Sequence, residues 1–488
     1  MPALSGLCRR AFLSGSAMGL GAIALRHLLA RDATPSPSRG PHFVPRAKRV
    51  VWLMQNGGPS HVDLFDHKPR LSRDAGQDLP ESVRRGQRLT TMTAGQQRFP
   101  LLPAHRPFAR FGDCGHELST LLPQLGGVAD RLLIVRSMHT EAINHAPAVT
   151  LLLSGAQQPG RPSFGAWVSY GLGSSNEDLP AFVVLTSRDR ENSCGQLLYD
   201  HYWGSGFLPS QLQGTKLHGQ GDPVPYLSDP PGVDRATRAA SLRDLAALNG
   251  LRHAVVGDPE IDARTAQYEL AFRMQASVPE ALALDQEPEH VRRMYGDDVT
   301  RRGSFAQNCL IARRLLERGV RFVQLMHAGW DQHQNIPTQL AIQCRDTDQP
   351  SAALVRDLAQ RGLLDDTLVI WGGEFGRTPF CQGDPKAKTY GRDHHGNAFS
   401  ILLAGGGVKA GSSFGASDEL GYDVVDRYGA PIRPTKFAPH ADAVHVHDLQ
   451  ATVLHLLGFD HEKLTHRFQG RDFRLTDVHG RVVHELIA

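Results

Sequence analysis

Histidine and carboxylate side chains recur in short polar stretches of this sequence, at spacings that could bring metal ligands together. The stretch GRDHHGNAF, residues 391–399, places Asp393, His394 and His395 directly before an apolar run. Imidazole nitrogens mixed with carboxylate oxygens suit zinc, manganese or iron better than calcium. Any one stretch could be a solvated loop, but five of them recur along the chain: Asn56 with His61 and Asp63, His139 with Asn144 and His145, His327 with Asp331 and His333, Glu374 with Arg377, and the 393–395 cluster.

Each polar stretch adjoins a short apolar run that is typical of a buried strand. These runs cover residues 50–54, 131–137, 181–187, 320–329, 366–376 and 398–407, and helix-like segments separate them at 117–130, 303–319, 349–366 and 445–459. Buried strands alternating with amphipathic helices indicate an α/β fold, with a mostly parallel central sheet and helices on both faces. In such sheets ligands bind outside the carboxyl ends of the strands, so we expect the polar stretches to meet there.

The first residues predict export from a bacterial cell. Arg9 and Arg10 precede Phe12, Leu13 and a weakly apolar run, as in a twin-arginine signal. Residues 1–33 are therefore predicted to be a signal read by the twin-arginine export machinery, and residues 34–47 a linker. The folded protein would then reside in the periplasm or cell envelope. No other stretch has the roughly 18 unbroken apolar residues of a stable membrane span, and a net charge of +3 does not indicate nucleic-acid binding.

The order of these segments resembles the alkaline phosphatase superfamily, in particular its sulfatase branch. DTLVIWGGEFG resembles the sulfatase strand that ends in a metal-binding pair, with Glu374 at the carboxylate position, and VHVHDLQATVLHLLGF resembles a later helix. Within the superfamily the chain is most similar to an exported, sulfatase-like bacterial family of unknown function. The stretches that match are NGGPSHVDLFD, NHAPAV, GRPSFGAWVSYGLGS, GWDQHQN, GEFGRTP and RDHHGNAF. The resemblance implies an alkaline-phosphatase-like domain over residues 48–488.

The chain departs from the sulfatase pattern at the nucleophile. Sulfatases carry there a cysteine that becomes formylglycine, whereas this sequence has His145, and Val149 stands where a charge-stabilising arginine would be. His145 could attack the ester, act as base for a metal-bound water, or ligate the metal, and the sequence leaves all three open. The amide of Asn144 could donate to a developing oxyanion. Gln55 and Asn56 replace the first sulfatase aspartates, so the metal set must also differ.

The region of residues 200–300 has no strand rhythm and is predicted to be an insertion that caps the site and sets specificity. Arg161 and Arg377 are candidate contacts to an anionic substrate. The predicted metal ligands are Asp331, His333, Glu374, Asp393, His394 and His395, with Asn56, His61 and Asp63 as further candidates.

These features predict a metal-dependent hydrolase of phosphate or sulfate esters, acting on a small-molecule or glycan substrate. Phosphate is favoured because the formylglycine cysteine is missing. The metal would be a divalent cation, zinc first, with manganese and iron as alternatives. The competing hypothesis is a non-catalytic metal- or glycan-binding envelope protein that kept a hydrolase fold and lost its nucleophile.

Overall fold

The computed structural model describes residues 40–488, apart from residues 88, 192–195, 219–223, 225–228 and 388. The predicted export signal (1–33) and the start of the predicted linker lie outside the described residues. The strands are β1 (Arg49–Asn56), β2 (Phe108–Phe111), β3 (His116–Ser119), β4 (Leu132–His139), β5 (Phe182–Arg188), β6 (Thr215–Leu217), β7 (Phe322–Ala328), β8 (Thr367–Gly372), β9 (Gly376–Arg377), β10 (His394–His395), β11 (Phe399–Ala404), β12 (Ser412–Phe414), β13 (Ala416–Ser417), β14 (Val424–Val425), β15 (Val444–His445), β16 (His466–Phe468) and β17 (Arg471–Phe473). The helices are α1 (His61–Leu64), α2 (Pro69–Arg73), α3 (Glu81–Arg84), α4 (Pro123–Gly126), α5 (His145–Ser154), α6 (Phe164–Leu172), α7 (Arg235–Val256), α8 (Pro259–Leu282), α9 (Glu289–Tyr295), α10 (Phe305–Glu317), α11 (Ile336–Gln360) and α12 (Val446–Leu456).

In the described part of the chain, nine strands form one central sheet in the order β12-β4-β11-β8-β1-β7-β5-β6, with β15 also pairing with β4. Every pair in it is parallel except those made by β11, which runs antiparallel to both β4 and β8. The start of β11 therefore lies at the same edge as the carboxyl ends of its neighbours. This reversal brings the 393–395 cluster, which precedes a strand, to the edge where the other polar stretches follow strands.

Both faces of the sheet are buried, as continuous apolar strands require. Along β1, Val51 and Leu53 point into one core, which α10 and α11 cover. Val50, Trp52 and Met54 point into the other core, which α5, α6 and α12 cover. The prediction of a mostly parallel sheet with helices on both faces is confirmed.

The local predictions are confirmed for all six strands and for most of the helices. The segment 117–130 is an exception, because its first residues form β3, paired with β2, before the short α4. The turn at residues 120–121 and the glycines Gly126 and Gly127 interrupt the segment, so only Pro123–Gly126 form a helix there. The helix predicted from residue 349 begins earlier, at Ile336, where Pro337 occupies the first turn without cost.

Among its described residues, the region 200–300 contains one short strand, β6, which extends the sheet beside β5. Its main feature is the helical hairpin of α7 and α8, and α8 packs against α10 and against the turn at 210–212. In the described part of the chain, no helix is long and apolar enough to cross a membrane.

Candidate metal centre

Four side chains from three separate segments of the chain meet at the sheet edge described above. His145 is the first residue of α5, which follows β4; Asp331 and His333 follow β7; and His394 precedes β11. Each of the four offers one nitrogen or oxygen atom, and these atoms all lie within 4.8 Å of one another. Among the described residues this is the one group with such a geometry. We call these four residues the donor group.

Asp331 Oδ1 lies at the middle of the donor group. It is 3.0 Å from His145 Nε2, 3.0 Å from His333 Nε2 and 3.3 Å from His394 Nε2. The Nε2 atoms of His333 and His394 are 2.9 Å apart. A tetrahedral ion with bonds of about 2.0 to 2.1 Å to nitrogen and oxygen separates its ligands by about 3.3 to 3.4 Å. The spacing of the donor group is close to that of a ligand shell.

Each imidazole of the donor group is oriented by an acceptor on its other nitrogen. His394 Nδ1 donates to the carbonyl of Ile143 over 2.7 Å, and His333 Nδ1 donates to Gln382 Oε1 over 2.7 Å. His145 Nδ1 lies 2.5 Å from Glu374 Oε1. Because a carbonyl or carboxylate oxygen only accepts, each ring carries a proton on Nδ1, and the Nε2 atoms of His333 and His394 face Asp331 with their lone pairs. This is the arrangement of histidines that bind a metal through Nε2.

The donor group fits a cation on its own chemistry. With protons on Nδ1, the Nε2 atoms of His333 and His394 oppose two lone pairs across 2.9 Å, and an aspartate oxygen adds negative charge beside them. That contact is repulsive without a positive charge between the atoms. Three imidazoles and one carboxylate are ligands that zinc, manganese and iron accept.

Protonation of the donor group follows from burial and charge. Burial lowers the pKa of His394 to about 3, so its Nε2 is free to bind an ion at neutral pH. Burial opposes the charged form of His145 as well, but Asp331 and Glu374 outweigh it and raise its pKa. Burial likewise favours protonated Asp331, but its contacts with the three histidines and the charge of Arg377 hold its pKa far below the usual range. A cation at this site therefore competes with a proton for His145 Nε2.

Glu374 lies behind His145 and does not join the donor group. The carboxylate is buried and accepts the backbone N–H of Gly57, 3.0 Å from Oε1 and 3.2 Å from Oε2, in addition to His145. Gly57 has φ of +117°, and a Cβ there would lie 2.3 Å from the backbone nitrogen of Asp331. Only glycine lets the loop after β1 run this close to the loop after β7. The predicted ligand Glu374 is thus placed to orient His145.

Arg377 fixes Asp331 and the loops around it. Its buried guanidinium donates to Asp331 Oδ1 over 2.8 Å and to the carbonyl oxygens of Gly57, Gly58, Trp330 and Arg392. Gln196 Nε2 holds the other carboxylate oxygen of Asp331 over 2.6 Å. Because its donors are bound to these groups, Arg377 is placed to hold the donor group together. The sequence had predicted that it contacts substrate.

The structure does not bring the remaining predicted ligands into the donor group. Asp393 accepts hydrogen bonds from Thr90, Thr93 and the backbone of His394, and its Oδ1 is 4.0 Å from His333 Nδ1. His395 Nε2 contacts the carbonyl of Tyr422.

The three further candidates are likewise bound elsewhere or unpaired. His61 Nε2 contacts the Gly421 carbonyl over 2.9 Å, and Asp63 pairs with the buried Arg392 over 2.7 Å. Asn56 is buried at the end of β1, and its Oδ1 has no hydrogen-bond partner among the described residues. Asn144, expected to donate to an oxyanion, is the exposed N-cap of α5, and its side chain makes no capping bond. Arg161, the other expected substrate contact, pairs with Asp477 over 3.1 Å.

The rim of the donor group consists of Phe375 and of the segment from Gln196 to Tyr202, which adjoins the group through Gln196. Phe375 is buried with its ring centroid 4.9 Å from that of His145 and 4.7 Å from that of His394. Beyond Gln196 the chain carries Tyr199, which is 40% exposed and stacks on His201. His201 in turn binds Thr150 of α5 over 3.1 Å. Burial raises the pKa of the next residue, Tyr202, well above its usual value, and nearby Glu374 adds to the rise.

Several residues of the site were missed by sequence reasoning. Gln196 and Gln382 are single glutamines in irregular loops, and the Ile143 contact uses only the backbone. No periodicity or spacing singles out such residues. The sequence could have indicated Gly57, because the pair Gly57-Gly58 directly follows a buried strand.

Residues 47–487 match the family model described as "Protein of unknown function (DUF1501)". The chain belongs to this family. The match confirms the resemblance to a family of unknown function, and it covers the whole donor group. No curated protein matches the sequence.

Solved structures similar to this DUF1501 protein include three enzymes. The lipoteichoic acid synthase LtaP from Listeria monocytogenes has 7% identity, covers 91% of this chain and 80% of its own, and gives a TM-score of 0.33. The PsFucS1 sulfatase from Pseudoalteromonas sp. has 12% identity, with 91% and 72% covered and a TM-score of 0.32. The phosphonate monoester hydrolase SpPMH from Silicibacter pomeroyi has 10% identity, with 69% and 68% covered and a TM-score of 0.27. At such low sequence identities and TM-scores, nothing about the chemistry of this chain follows from the likeness.

Proposed function

We propose that this DUF1501 protein is a metal-dependent hydrolase of phosphate or sulfate esters. The observation that carries the proposal is the donor group, in which three imidazole Nε2 atoms face one aspartate oxygen at 3.0 to 3.3 Å. The side chains of the group are only 7% to 14% exposed, so the site is sheltered yet reaches solvent. A substrate could therefore approach it from the rim.

His145, His333, His394 and Asp331 would hold the cation in this proposal. When bound, a divalent cation supplies a Lewis acid for the ester oxygens and lowers the pKa of a coordinated water. Glu374 keeps the ring proton of His145 on Nδ1, and the Ile143 carbonyl and Gln382 do the same for the other two histidines. Arg377 and Gln196 aim the carboxylate of Asp331.

Water is the proposed nucleophile. The donor group contains no cysteine, serine or threonine. His145 Nδ1 is bound by Glu374, and its Nε2 has no hydrogen-bond partner among the described residues and lies 3.0 Å from Asp331 Oδ1, as a metal ligand would. Of the three roles that the sequence left open for His145, the geometry thus favours that of a ligand. Cys309, Cys344 and Cys381 are buried, so none of these thiols supports a sulfatase-type covalent step. Because these cysteines cannot supply a formylglycine nucleophile, phosphate esters remain preferred over sulfate esters as substrates.

One observation favours the alternative, a non-catalytic metal- or glycan-binding protein. Four protein donors fill a tetrahedral zinc ion completely, as in structural sites, whereas catalytic zinc usually keeps three protein ligands and an open position. Hydrolysis at this site therefore requires a fifth coordination position on the solvent side. The two functions make the same prediction for metal content and opposite ones for turnover.

The decisive experiment is turnover by metal-loaded protein. The chain is freed of metal, reloaded with zinc, manganese or iron, and assayed with 4-nitrophenyl phosphate, bis(4-nitrophenyl) phosphate, a 4-nitrophenyl phosphonate and 4-nitrophenyl sulfate. The proposal expects turnover of at least one ester that depends on the metal and is lost in His333→Ala. The matched control is His67→Ala, because His67 is a partly exposed histidine that pairs with Glu117, outside the donor group. A protein that binds metal fully and cleaves none of the four esters is instead the binding protein of the alternative.

A further inference from the structure

The two carboxylate oxygens of Asp331 have different surroundings. Oδ1 lies 3.0 Å from Nε2 of both His145 and His333 and 3.3 Å from Nε2 of His394. Oδ2 instead accepts a hydrogen bond of 2.6 Å from the side-chain amide of Gln196, which is its one partner among the described residues. One oxygen of Asp331 therefore faces the donor group, and the other faces the segment that carries Gln196.

The segment of residues 196–203 is anchored to α5, the helix that begins the donor group. His201 Nε2 lies 3.1 Å from Thr150 Oγ1 of α5, and Tyr202 is buried in the core that α5 covers. The position of Gln196 is thus set by the same helix that supplies a predicted metal ligand. Gln196 itself is partly exposed and belongs to neither core, so its side chain can be exchanged without opening a core cavity.

The state of Oδ2 decides how many positions of a bound cation the protein fills. A carboxylate can bind a cation through one oxygen or through both. With three imidazoles and one oxygen of Asp331 the donor group fills four positions, and with both oxygens it would fill five. Zinc binds four ligands and can expand to five. The second oxygen would therefore occupy the fifth position that hydrolysis requires.

We propose that Gln196 is a positioning residue that keeps Asp331 bound to the cation through Oδ1 alone. Its N–H group satisfies Oδ2, which would otherwise be a bare negative oxygen beside a divalent cation and attracted to it. Arg377 cannot take over this role, because it contacts Asp331 through Oδ1. The fifth position then stays available to a water or to a substrate oxygen. This inference rests on the proposed function, because a hydrolase needs that position and a structural metal site does not.

Titration of the cobalt-loaded full chain with azide tests the proposal. Cobalt(II) is the probe because its visible absorption changes with the number and kind of its ligands, and azide is a small anion that needs an open coordination position. We expect azide to change the spectrum of the wild type. Gln196→Met and Gln196→Leu each remove the donor and nearly keep the size of the side chain. In both variants Oδ2 should enter the ligand shell, and the Kd of azide should rise by about tenfold or more.

The affinity for cobalt separates this role from a merely supporting one. A residue that only orients a metal ligand lowers the metal affinity by about 10- to 100-fold when it is changed. Under the proposal the Gln196 variants should instead bind cobalt at least as tightly as the wild type, because Asp331 then supplies one more ligand. The cobalt Kd is measured by competition with a chelator.

Gln275→Met is the matched control, because Gln275 Nε2 of α8 donates to Asp229 Oδ1 over 2.9 Å in a glutamine–aspartate pair outside the donor group. It should leave both Kd values unchanged. A wild type that binds cobalt but not azide overturns the proposal, since the position is then already closed. Gln196 variants that bind azide as the wild type does, or that bind cobalt more weakly, also overturn it. These outcomes do not depend on ester turnover, which tests the proposed function separately.

Discussion

Glu374 Oε1 lies 2.5 Å from Nδ1 of His145, while Nε2 of the same ring lies 3.0 Å from Asp331 Oδ1. The imidazole therefore joins a buried carboxylate to the donor group. A carboxylate in this position fixes the tautomer of a metal-binding histidine and increases its basicity. The two acidic residues thus have different roles, and Asp331 alone is placed to touch the metal.

This relationship predicts an order of effects on metal binding. His333→Ala removes a donor and should leave little bound metal, because no other side chain replaces it. Glu374→Gln keeps the shape but weakens the hold on His145, so the metal affinity should fall by about 10- to 100-fold. The metal affinity of both variants is measured by competition with a chelator, and their metal content by elemental analysis. Glu117→Gln, which changes a partly exposed glutamate outside the donor group, is the control. A Glu374→Gln protein that loses metal as completely as His333→Ala would make Glu374 a direct ligand.

Arg377 is predicted to stabilise the fold and the metal centre together. Arg377→Met leaves the carbonyl oxygens of Gly57, Gly58 and Trp330 without their donor and should cost about 3 kcal/mol or more of unfolding free energy. Arg377→Lys should recover only part of this, because an ammonium group cannot reach the same fork of acceptors. Chemical denaturation and metal analysis measure both effects. The exposed Arg427→Met is the control and should leave the unfolding free energy nearly unchanged.

Asp63 is predicted to act in stability and not in metal binding. Burial would raise its pKa, but the charge and hydrogen bonds of Arg392 outweigh burial and lower the pKa below its usual value near 3.8. The folded state therefore binds the proton less tightly than the unfolded state. The stabilisation is complete above about pH 4 and is lost as the pH falls through the folded pKa.

Asp63→Asn tests this assignment. The substitution leaves Arg392 buried without its counter-charge, so the unfolding free energy at neutral pH should fall by about 3 to 5 kcal/mol. The acid dependence of stability should become shallower, and metal content should stay that of the wild type. Denaturant unfolding at several pH values, with elemental analysis of the folded fraction, provides the measurement. Loss of metal from a folded Asp63→Asn protein would restore Asp63 as a ligand.

The sequence predicted the architecture better than the site. Apolar runs located all six strands because buried parallel strands are apolar on both faces, as in β1 with Trp52 and Leu53 on opposite sides. The direction of β11 is set by pairing with β4 and β8, which no local pattern records. Five polar stretches were expected to share one edge, but only tertiary packing decides which side chains converge. His394 and His395 are adjacent in sequence, yet their rings face different partners, His333 and Tyr422.

Export by the twin-arginine route remains a prediction from the sequence. Changing Arg9 and Arg10 to lysine should leave the precursor in the cytoplasm, because the paired arginines are the recognised element of such signals. Cell fractionation with an antibody to the folded chain measures the distribution. Arg26→Lys is the matched control, since it changes an arginine of the same segment outside the pair. Normal export of the double variant would rule out this route.

Tyr199 is predicted to contribute to binding of the organic group of the substrate. Its ring is 40% exposed, and stacking on His201, which is tied to Thr150 of α5, holds it ready at the rim. An aromatic face in this position can stack on a sugar or aryl ring, worth about 0.5 to 1.5 kcal/mol. Tyr199→Ala should therefore raise KM by about 3- to 10-fold for the ring-bearing ester that metal-loaded protein cleaves fastest, with kcat and metal content unchanged. Tyr428→Ala, which removes a tyrosine that is 88% exposed and outside the rim, is the control. An unchanged KM in Tyr199→Ala would show that the substrate approaches the donor group from another side.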